Sequence, residues 1–149
     1  MQKAVELGVA ALQPVMTERT VVGRVNHGRL RAHIVDAAEQ CERLSIPDLR
    51  AAIKYTMLLD NWPADRHLLV CVERGAAPSI DSVLAKAGNI ESWDIFIGPE
   101  GGFTQSERDL FATLPFATLV SLGPRILRAE TAALAALVCW QMANDASKR

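Results

Sequence analysis

Apolar residues along this chain recur in two patterns, short continuous runs and longer stripes with a spacing of three or four residues. A continuous run predicts a strand at 68–72, and short, mainly apolar segments predict strands at 9–12, 93–97 and 116–122. A stripe predicts a helix at about 29–43, and further helices are predicted at 2–7, 55–59, 79–87, from 104 towards 114, and about 129–143, of which the last is apolar nearly all round. Because strands and helices alternate, we expect an α/β fold with three layers around a mostly parallel sheet.

Residues with special backbone or capping properties mark several helix ends. Gly8 and Gly88 stand where helices would end, and Pro47 prevents the helix at 29–43 from simply continuing. Thr104 and Glu107 have the T-x-x-E spacing of a capping box, which predicts a helix start. Residues 17–29 are predicted to form an irregular connection.

Composition narrows the class of protein. The chain has 149 residues, of which 50% are hydrophobic and 22% charged, so it is expected to fold as one domain. No apolar run reaches the roughly 18–20 residues of a membrane span, and the first residues lack the order of a signal peptide. We therefore expect a cytoplasmic protein without membrane contact.

Cysteines and histidines predict neither a disulfide framework nor a metal site. Cys41, Cys71 and Cys139 are odd in number and never form a C-x-x-C pair, which suits a reducing compartment. The three histidines lack H-x-x-x-H and H-E-x-x-H spacing. No G-x-S-x-G elbow or obvious Cys–His pair is present, so a hydrolase with a covalent intermediate is not expected.

A basic stretch at 19–35 contrasts with the net charge of −1. The stretch has no acidic residue, and its basic members are Arg19, Arg24, Arg29, Arg31, His27 and His33. Such a stretch is compatible with a solvated helix face and with an edge that follows RNA phosphates. It contains no aromatic residue, so base stacking is not predicted there.

Two loops follow predicted strands at the edge where α/β sheets bind ligands. The loop 98–103 has three glycines and runs into a helix N-terminus, as in loops that approach a ligand closely, although it is neither a Walker loop nor a G-x-G-x-x-G motif. A plain Gly-Pro turn before a capped helix explains it equally well. In the loop 123–128, Arg125 and Arg128 either pair with Glu130 and Glu100 or face an anion.

Together the two loops resemble a known family. Residues 97–103 (Ile-Gly-Pro-Glu-Gly-Gly-Phe) and 122–132 (Leu-Gly-Pro-Arg-Ile-Leu-Arg-Ala-Glu-Thr-Ala) resemble the paired signature of RsmE-type methyltransferases. These enzymes modify N3 of a uridine in small-subunit (16S) ribosomal RNA. Two upstream segments, at 2–9 and 38–43, agree with the family in the same order, so the resemblance extends over almost the whole chain.

This resemblance implies a SPOUT-type α/β domain whose C-terminal part forms a trefoil knot. It implies a homodimer that uses S-adenosyl-L-methionine and acts on ribosomal RNA of the small ribosomal subunit, without a metal. The family also has an N-terminal PUA-like RNA-binding domain and a first strand that this sequence lacks. Residues 1–149 are therefore expected to be an N-terminally shortened methyltransferase domain.

Roles for individual residues follow from the resemblance by position. Catalytic roles are implied for Arg128, which would stabilise the uridine anion, and for Glu100 or Glu130, which would position the base or accept its N3 proton. Contacts with RNA phosphates or the dimer edge are expected of Arg19, Arg43 and Arg125. Cofactor binding, mainly by backbone groups, is implied for Val72, Ile97, Gly98, Gly101, Leu122, Gly123, Ile126 and Leu127.

Two other functions stay open at this point. The chain could be a non-catalytic, dimeric, cofactor-binding remnant that needs a partner to recognise RNA. It could also be a SPOUT methyltransferase with another RNA target, because one sequence does not specify the nucleotide.

Overall fold

The computed structural model describes residues 1–21, 23, 25–87 and 93–147. The chain divides into two compact units, residues 1–61 and 62–149, which we describe separately. The first unit contains α1 (Gln2–Glu6), β1 (Ala11–Leu12), β2 (Val15–Met16), α2 (His27–Gln40), β3 (Asp48–Leu49), β4 (Ile53–Lys54) and α3 (Tyr55–Asp60). The second contains β5 (His67–Cys71), α4 (Ile80–Ala87), β6 (Trp93–Ile97), α5 (Gln105–Thr113), β7 (Ala117–Val120) and α6 (Ala129–Ser147).

Two short parallel strand pairs form the sheet structure of the first unit. β1 pairs with β3 and β2 with β4; Ala11 lies opposite Asp48, and Val15 lies opposite Ile53. From the first pair to the second, the chain advances four residues between Ala11 and Val15 but five between Asp48 and Ile53. The extra residue makes an irregularity of the bulge type between the two pairs. The sequence pattern predicts only β1, because two-residue strands contain too few positions for a period to show.

Helix α2 supplies most of the apolar core of the first unit. Ile34, Ala37 and Ala38 are buried on its inner face and cluster with Val5 of α1. The helix begins two residues earlier than the periodicity predicts. Its N-terminal cap is Asn26, whose Oδ1 accepts a hydrogen bond from the Arg29 N–H at 3.0 Å.

Helix α1 ends at a glycine, as predicted. Gly8 has a φ of +81°, which favours glycine, and its N–H donates to the carbonyl of Val5 at 2.9 Å. The N–H of Val9 donates to the carbonyl of Ala4 at 3.2 Å. These two bonds define a Schellman motif, which satisfies carbonyls that the helix itself leaves without partners.

Helix α2 ends in the same way without a glycine. Glu42 has a φ of 57°, and its N–H donates to the carbonyl of Glu39 at 3.1 Å. The N–H of Arg43 donates to the carbonyl of Ala38 at 2.9 Å. A non-glycine residue in the left-handed region is unfavourable, so the hydrogen bonds of this motif hold Glu42 in place.

The sheet of the second unit is parallel, with the strand order β6-β5-β7. Leu69 and Cys71 point to one face, where they form a core with Leu84 of α4 and Ala136 of α6. Val70 points to the opposite face and pairs in register with Phe96. Because Phe96 contacts Phe111 of α5, that helix covers the second face.

The second unit therefore confirms the predicted α/β class with a parallel sheet and helices on both faces. Helix α6 extends to Ser147, beyond the predicted end. The expected helix end at Gly88 lies outside the described residues, as does Arg24 of the basic stretch. None of the helices in the described ranges is long and apolar enough to cross a membrane. The trefoil knot and the single domain over 1–149 stay predictions.

Two of the three glycines of the first unit, Gly8 and Gly28, allow a matched test of the Schellman motif. Gly8→Ala should lower the free energy of unfolding by about 1 kcal/mol, because alanine is strained at positive φ. Gly28→Ala is the same change inside α2, where an added Cβ would meet Asn26 only at an ordinary 3.6 Å. It should be neutral or stabilising by up to about 1 kcal/mol. Urea denaturation measures both, and equal effects would contradict this account.

Candidate functional site

Three loops leave the carboxyl ends of β5, β6 and β7, at 72–76, 98–103 and 121–128. Because the strands are parallel neighbours, these loops meet at one edge of the sheet. They surround a cleft of about 510 Å³, counting its open mouth. Its lining consists of Cys71, Val72, Glu73, Ile97, Gly98, Pro99, Glu100, Gly102, Leu122, Gly123, Arg125, Ile126, Leu127, Ala129 and Ala132.

The loop after β6 makes a tight turn at the cleft. The Gly102 N–H donates to the carbonyl of Pro99 at 2.8 Å, and Gly102 has a φ of +65°. The sequence left two interpretations of this loop, a plain turn before a capped helix or a loop that approaches a ligand. The two are compatible, because the turn itself contributes residues to the lining of the cleft. A turn of this kind presents backbone groups to the cleft.

The residue that fixes this loop is Phe103. Its ring is fully buried and lies edge-to-face against Phe96 and Phe111, with a centroid separation of 5.1 Å to each. A Cβ added to Gly98 would come within 3.2 Å of the Phe103 ring. Gly98 therefore lets the loop fold back closely over its own aromatic anchor.

The predicted capping box continues this anchoring into α5. The Glu107 N–H donates to Thr104 Oγ1 at 3.2 Å, and the Thr104 N–H donates to Glu107 Oε2 at 2.8 Å. Glu107 is fully buried, so its carboxylate stays with the helix start rather than reaching solvent. Both N–H groups would otherwise lack partners at the helix N-terminus.

The loop after β7 is held at its beginning. The Ser121 N–H donates to the carbonyl of Pro78 at 2.8 Å, and its carbonyl accepts from the Ile80 N–H at 3.1 Å. Gly123 then turns with a φ of +115°, and its N–H donates to Ser121 Oγ at 3.2 Å. Beyond this turn the side chain of Ile126 is 64% exposed at the cleft.

A contact between two loops shapes the interior of the cleft. The carboxylate of Glu73, in the loop after β5, lies directly against Gly102. A Cβ at position 102 would overlap this carboxylate, and the positive φ of Gly102 independently favours glycine. Gly102 therefore serves both the turn and the placement of Glu73.

The charged groups that line the cleft are Glu73, Glu100 and Arg125. The side chains of Glu100 and Arg125 are exposed, whereas Glu73 is half-buried. Ion pairs within the described part of the chain include Lys3 with Glu6, Arg50 with Asp48 and Arg66 with Asp94, and no described residue forms one with Arg125 or Arg128. Of the two interpretations of Arg125 and Arg128, the geometry thus favours exposure to an anion over a structural ion pair.

Most residues expected to bind a cofactor line this one cleft. They are Val72, Ile97, Gly98, Leu122, Gly123, Ile126 and Leu127, whereas Gly101 does not belong to the lining. Among the expected catalytic residues, Glu100 lines the cleft. Arg128 and Glu130 are exposed and do not belong to the lining, although each is adjacent in sequence to Ala129, which does. The roles of all these residues stay predictions.

The arginines expected to contact RNA lie in different surroundings. Arg125 lines the cleft, and Arg19 is exposed in the first unit. Arg43 is half-buried, and its Nη1 donates to the carbonyl of Val5 at 2.7 Å and to that of Val9 at 3.2 Å. These bonds give Arg43 a structural role next to the end of α1.

Several lining residues are absent from the sequence-based expectation, which names the loops but not their full inner surface. They are Cys71, Glu73, Pro99, Gly102, Ala129 and Ala132. The position of Glu73 just after a buried strand is a signal that could have found it. Burial raises the pKa of the Cys71 thiol to about 12, so this cysteine is a core residue rather than a nucleophile.

Metal ligands do not cluster in the ranges described above. Within residues 1–21, 23, 25–87 and 93–147, no group of three or more His, Cys, Asp or Glu side chains could hold a metal ion. The side chains of the cleft are instead mostly apolar, with the three charged groups and several turns of backbone. A cleft at the carboxyl edge of a parallel sheet is the position where open α/β domains bind small molecules, and the class of this fold is therefore α/β with a candidate ligand cleft.

Comparison with known proteins specifies the family. The model of the RNA methyltransferase domain matches residues 1–141. The chain is 34% identical over 136 residues to ribosomal RNA small subunit methyltransferase E of Rickettsia conorii, covering 90% of this chain and 54% of that protein. It is 36% identical over 135 residues to the protein of the same name from Synechocystis, covering 89% and 44%.

A solved structure agrees with these sequence matches. The crystal structure of ribosomal RNA small subunit methyltransferase E from Neisseria gonorrhoeae, bound to S-adenosyl methionine, superposes with a TM-score of 0.83. It is 34% identical, and the match covers 95% of this chain and 58% of that one. The chain belongs to the RNA methyltransferase domain family. It spans about half the length of the curated relatives it matches.

A double-mutant cycle tests the contact between Glu73 and Gly102. Gly102→Ala should lower the free energy of unfolding by about 1–3 kcal/mol, because it adds strain at positive φ and displaces the Glu73 carboxylate. In a Glu73→Ala background the loss should be smaller, since only the backbone strain remains. Gly23→Ala, where an added Cβ meets nothing within 4 Å, is the control. Equal losses in both backgrounds would show that the contact is energetically unimportant.

Proposed function

We propose that this domain transfers a methyl group from S-adenosylmethionine to N3 of a uridine in small-subunit ribosomal RNA. The observation that carries the proposal is the cleft at the carboxyl edge of the sheet, which unites both signature loops. The relative from Neisseria gonorrhoeae, crystallised with S-adenosyl methionine, has the same fold over 95% of this chain. Membership in the RNA methyltransferase domain family supports the reaction class.

The chemistry of the cleft fits this cofactor. Apolar side chains, including those of Val72, Ile97 and Leu127, offer walls for a ring, and the turns at Gly102 and Gly123 offer backbone N–H and C=O groups. The carboxylates of Glu73 and Glu100 offer negative charge to a cationic ligand. When bound, S-adenosylmethionine supplies an electrophilic methyl group on a positively charged sulfur. The proposal assigns its binding to the seven predicted lining residues together with Gly101.

Methylation of uridine N3 requires that the nitrogen lose its proton, because the protonated imide has no lone pair available for attack. We assign proton acceptance to Glu100, since it lines the cleft whereas Glu130 does not. Arg128 is exposed and lies in sequence between two lining residues, Leu127 and Ala129. Its permanent positive charge would stabilise the uridine anion. Glu130, which lies in the first turn of α6, is the alternative base.

Contacts with RNA are assigned to exposed arginines. Arg125 at the cleft and Arg19 in the first unit are exposed, as are Arg29 and Arg31 on α2. Guanidinium groups in such positions bind phosphates and make affinity dependent on salt. Arg43 is assigned to the fold instead, because it already donates to two backbone carbonyls.

The proposal includes a homodimer and a cytoplasmic location. Val138 and Met142 lie one turn apart on α6 and are 41% and 69% exposed, so they offer an apolar strip to a second copy. A cytoplasmic location suits an enzyme that acts on ribosomal RNA.

Calorimetry and mass spectrometry test the proposal directly. The chain should bind S-adenosylmethionine in calorimetry, and with undermethylated small ribosomal subunits it should produce N3-methyluridine, detected by mass spectrometry of nucleosides. Binding without transfer would favour the non-catalytic cofactor-binding module. Methylation of a different nucleoside would favour another RNA target, and failure to bind the cofactor would contradict all of these functions.

Charge-removing variants test the catalytic assignments. Arg128→Ala should lower methyl transfer by roughly 100-fold or more while cofactor affinity changes little, because its charge acts on the developing uridine anion. Because Glu100 is the proposed proton acceptor, Glu100→Gln should lower the rate of methyl transfer by roughly 100-fold. Glu130→Gln should lower that rate less. Lys86→Ala, an exposed change on α4 outside the lining, is the control for loss of one positive charge. Full activity of Arg128→Ala would rule out its proposed role.

A further inference from the structure

Glu73 is the one carboxylate of the cleft lining that another loop holds in place. It follows β5, and its carboxylate rests against Gly102 in the loop after β6. Glu73 is half-buried, whereas Glu100 is exposed. A charge in partly buried surroundings is screened less by water and salt, so Glu73 acts on a ligand in the cleft more strongly than Glu100 at equal distance.

The Glu73 carboxylate is also uncommitted within its own surroundings. Among the residues that the structure describes, none donates a hydrogen bond to it and none forms an ion pair with it. Neither of its oxygens is fully buried without a partner, and Glu73 belongs to the lining of the cleft. A structural carboxylate such as Glu107, by contrast, is consumed by the cap of α5. Glu73 is therefore available to a ligand.

The charge of the lining favours the proposed cofactor, S-adenosylmethionine, over the product that remains after methyl transfer, S-adenosylhomocysteine. Two carboxylates and one guanidinium give the lining a net charge of −1. S-adenosylmethionine bears a sulfonium, an ammonium and a carboxylate, and so has a net charge of +1 near pH 7. Once the methyl group has left, the sulfur keeps the electron pair of the broken bond and becomes a neutral thioether, so the product has no net charge.

From these observations we infer that Glu73 is a specificity-determining residue that favours the cationic sulfonium cofactor over its neutral thioether product. This inference rests on the proposed function and goes beyond it, because it concerns the exchange of product for cofactor. Both molecules keep the ammonium group, so the difference arises at sulfur: the Glu73 carboxylate attracts the positively charged sulfonium by Coulomb interaction and has no such attraction to the thioether. Glu73 thereby limits inhibition by S-adenosylhomocysteine.

Calorimetry with both ligands tests the inference. Glu73→Gln keeps the shape of the side chain and removes its charge; it should weaken S-adenosylmethionine binding roughly 5- to 10-fold and S-adenosylhomocysteine binding less than about 2-fold. Glu73→Asp, which keeps the charge, should retain most of the preference. The preference of the wild-type chain should decrease at high salt, as expected for an electrostatic effect.

The outcomes separate this inference from the proposed function. A purely structural role for Glu73 would weaken both ligands equally, and an unchanged ratio of the two dissociation constants in Glu73→Gln would overturn the inference while leaving the proposed function intact. A wild-type chain that binds neither ligand would overturn both. Glu39→Gln removes one negative charge from an exposed position on α2, outside the cleft lining, and should leave the ratio unchanged.

Discussion

Strand β5 is enclosed on both edges and both faces, and this enclosure organises the second unit. β6 and β7 occupy its edges, and Leu68 to Val70 are almost completely buried. A continuous apolar run in this position gains from burial on two faces at once, and it excludes polar ligands from the length of the strand. The carboxyl end of β5 is where the enclosure stops, and there three loops surround a cleft.

Backbone geometry, more than side-chain chemistry, defines the walls of that cleft. Gly98 lies against the Phe103 ring, and Gly102 and Gly123 turn with positive φ. Because the aromatic cluster of Phe96, Phe103 and Phe111 is buried beneath the loop, the turn above it has little freedom to shift. A cleft built in this way offers mainly backbone groups and apolar side chains, and only three charged side chains, Glu73, Glu100 and Arg125, belong to its lining.

The sequence allowed prediction of those elements whose period or capping extends over enough residues. The run at 68–72, the capping box of Thr104 and Glu107, and the glycine end of α1 all confirm the expectation. Strands β2, β3 and β4 escape prediction because two residues contain no measurable period. The helix end at Glu42 escapes because its left-handed turn lacks the glycine that usually marks one.

In the candidate site, too, the features that local sequence signals encode were predictable and the long-range contacts were not. Loops were predictable, since glycines and following helix starts are local signals, and the resemblance to RsmE-type proteins named most of the lining. The contacts of Arg43 with Val5 and Val9, and of Glu73 with Gly102, join residues far apart in sequence. No local pattern encodes such pairs, because each depends on how separate elements pack. The expected knot depends on chain threading, which periodicity does not report.

The contact between Glu73 and Gly102 also constrains how the sequence of this domain can change over time. A side chain at position 102 is excluded while the Glu73 carboxylate occupies the space beside it. A methyl group at position 102 therefore requires the Glu73 carboxylate to move or position 73 to become smaller, and it also requires a residue that tolerates positive φ. The cost of a substitution at position 102 therefore depends on which residue stands at position 73, so the two positions constrain each other as the sequence diverges.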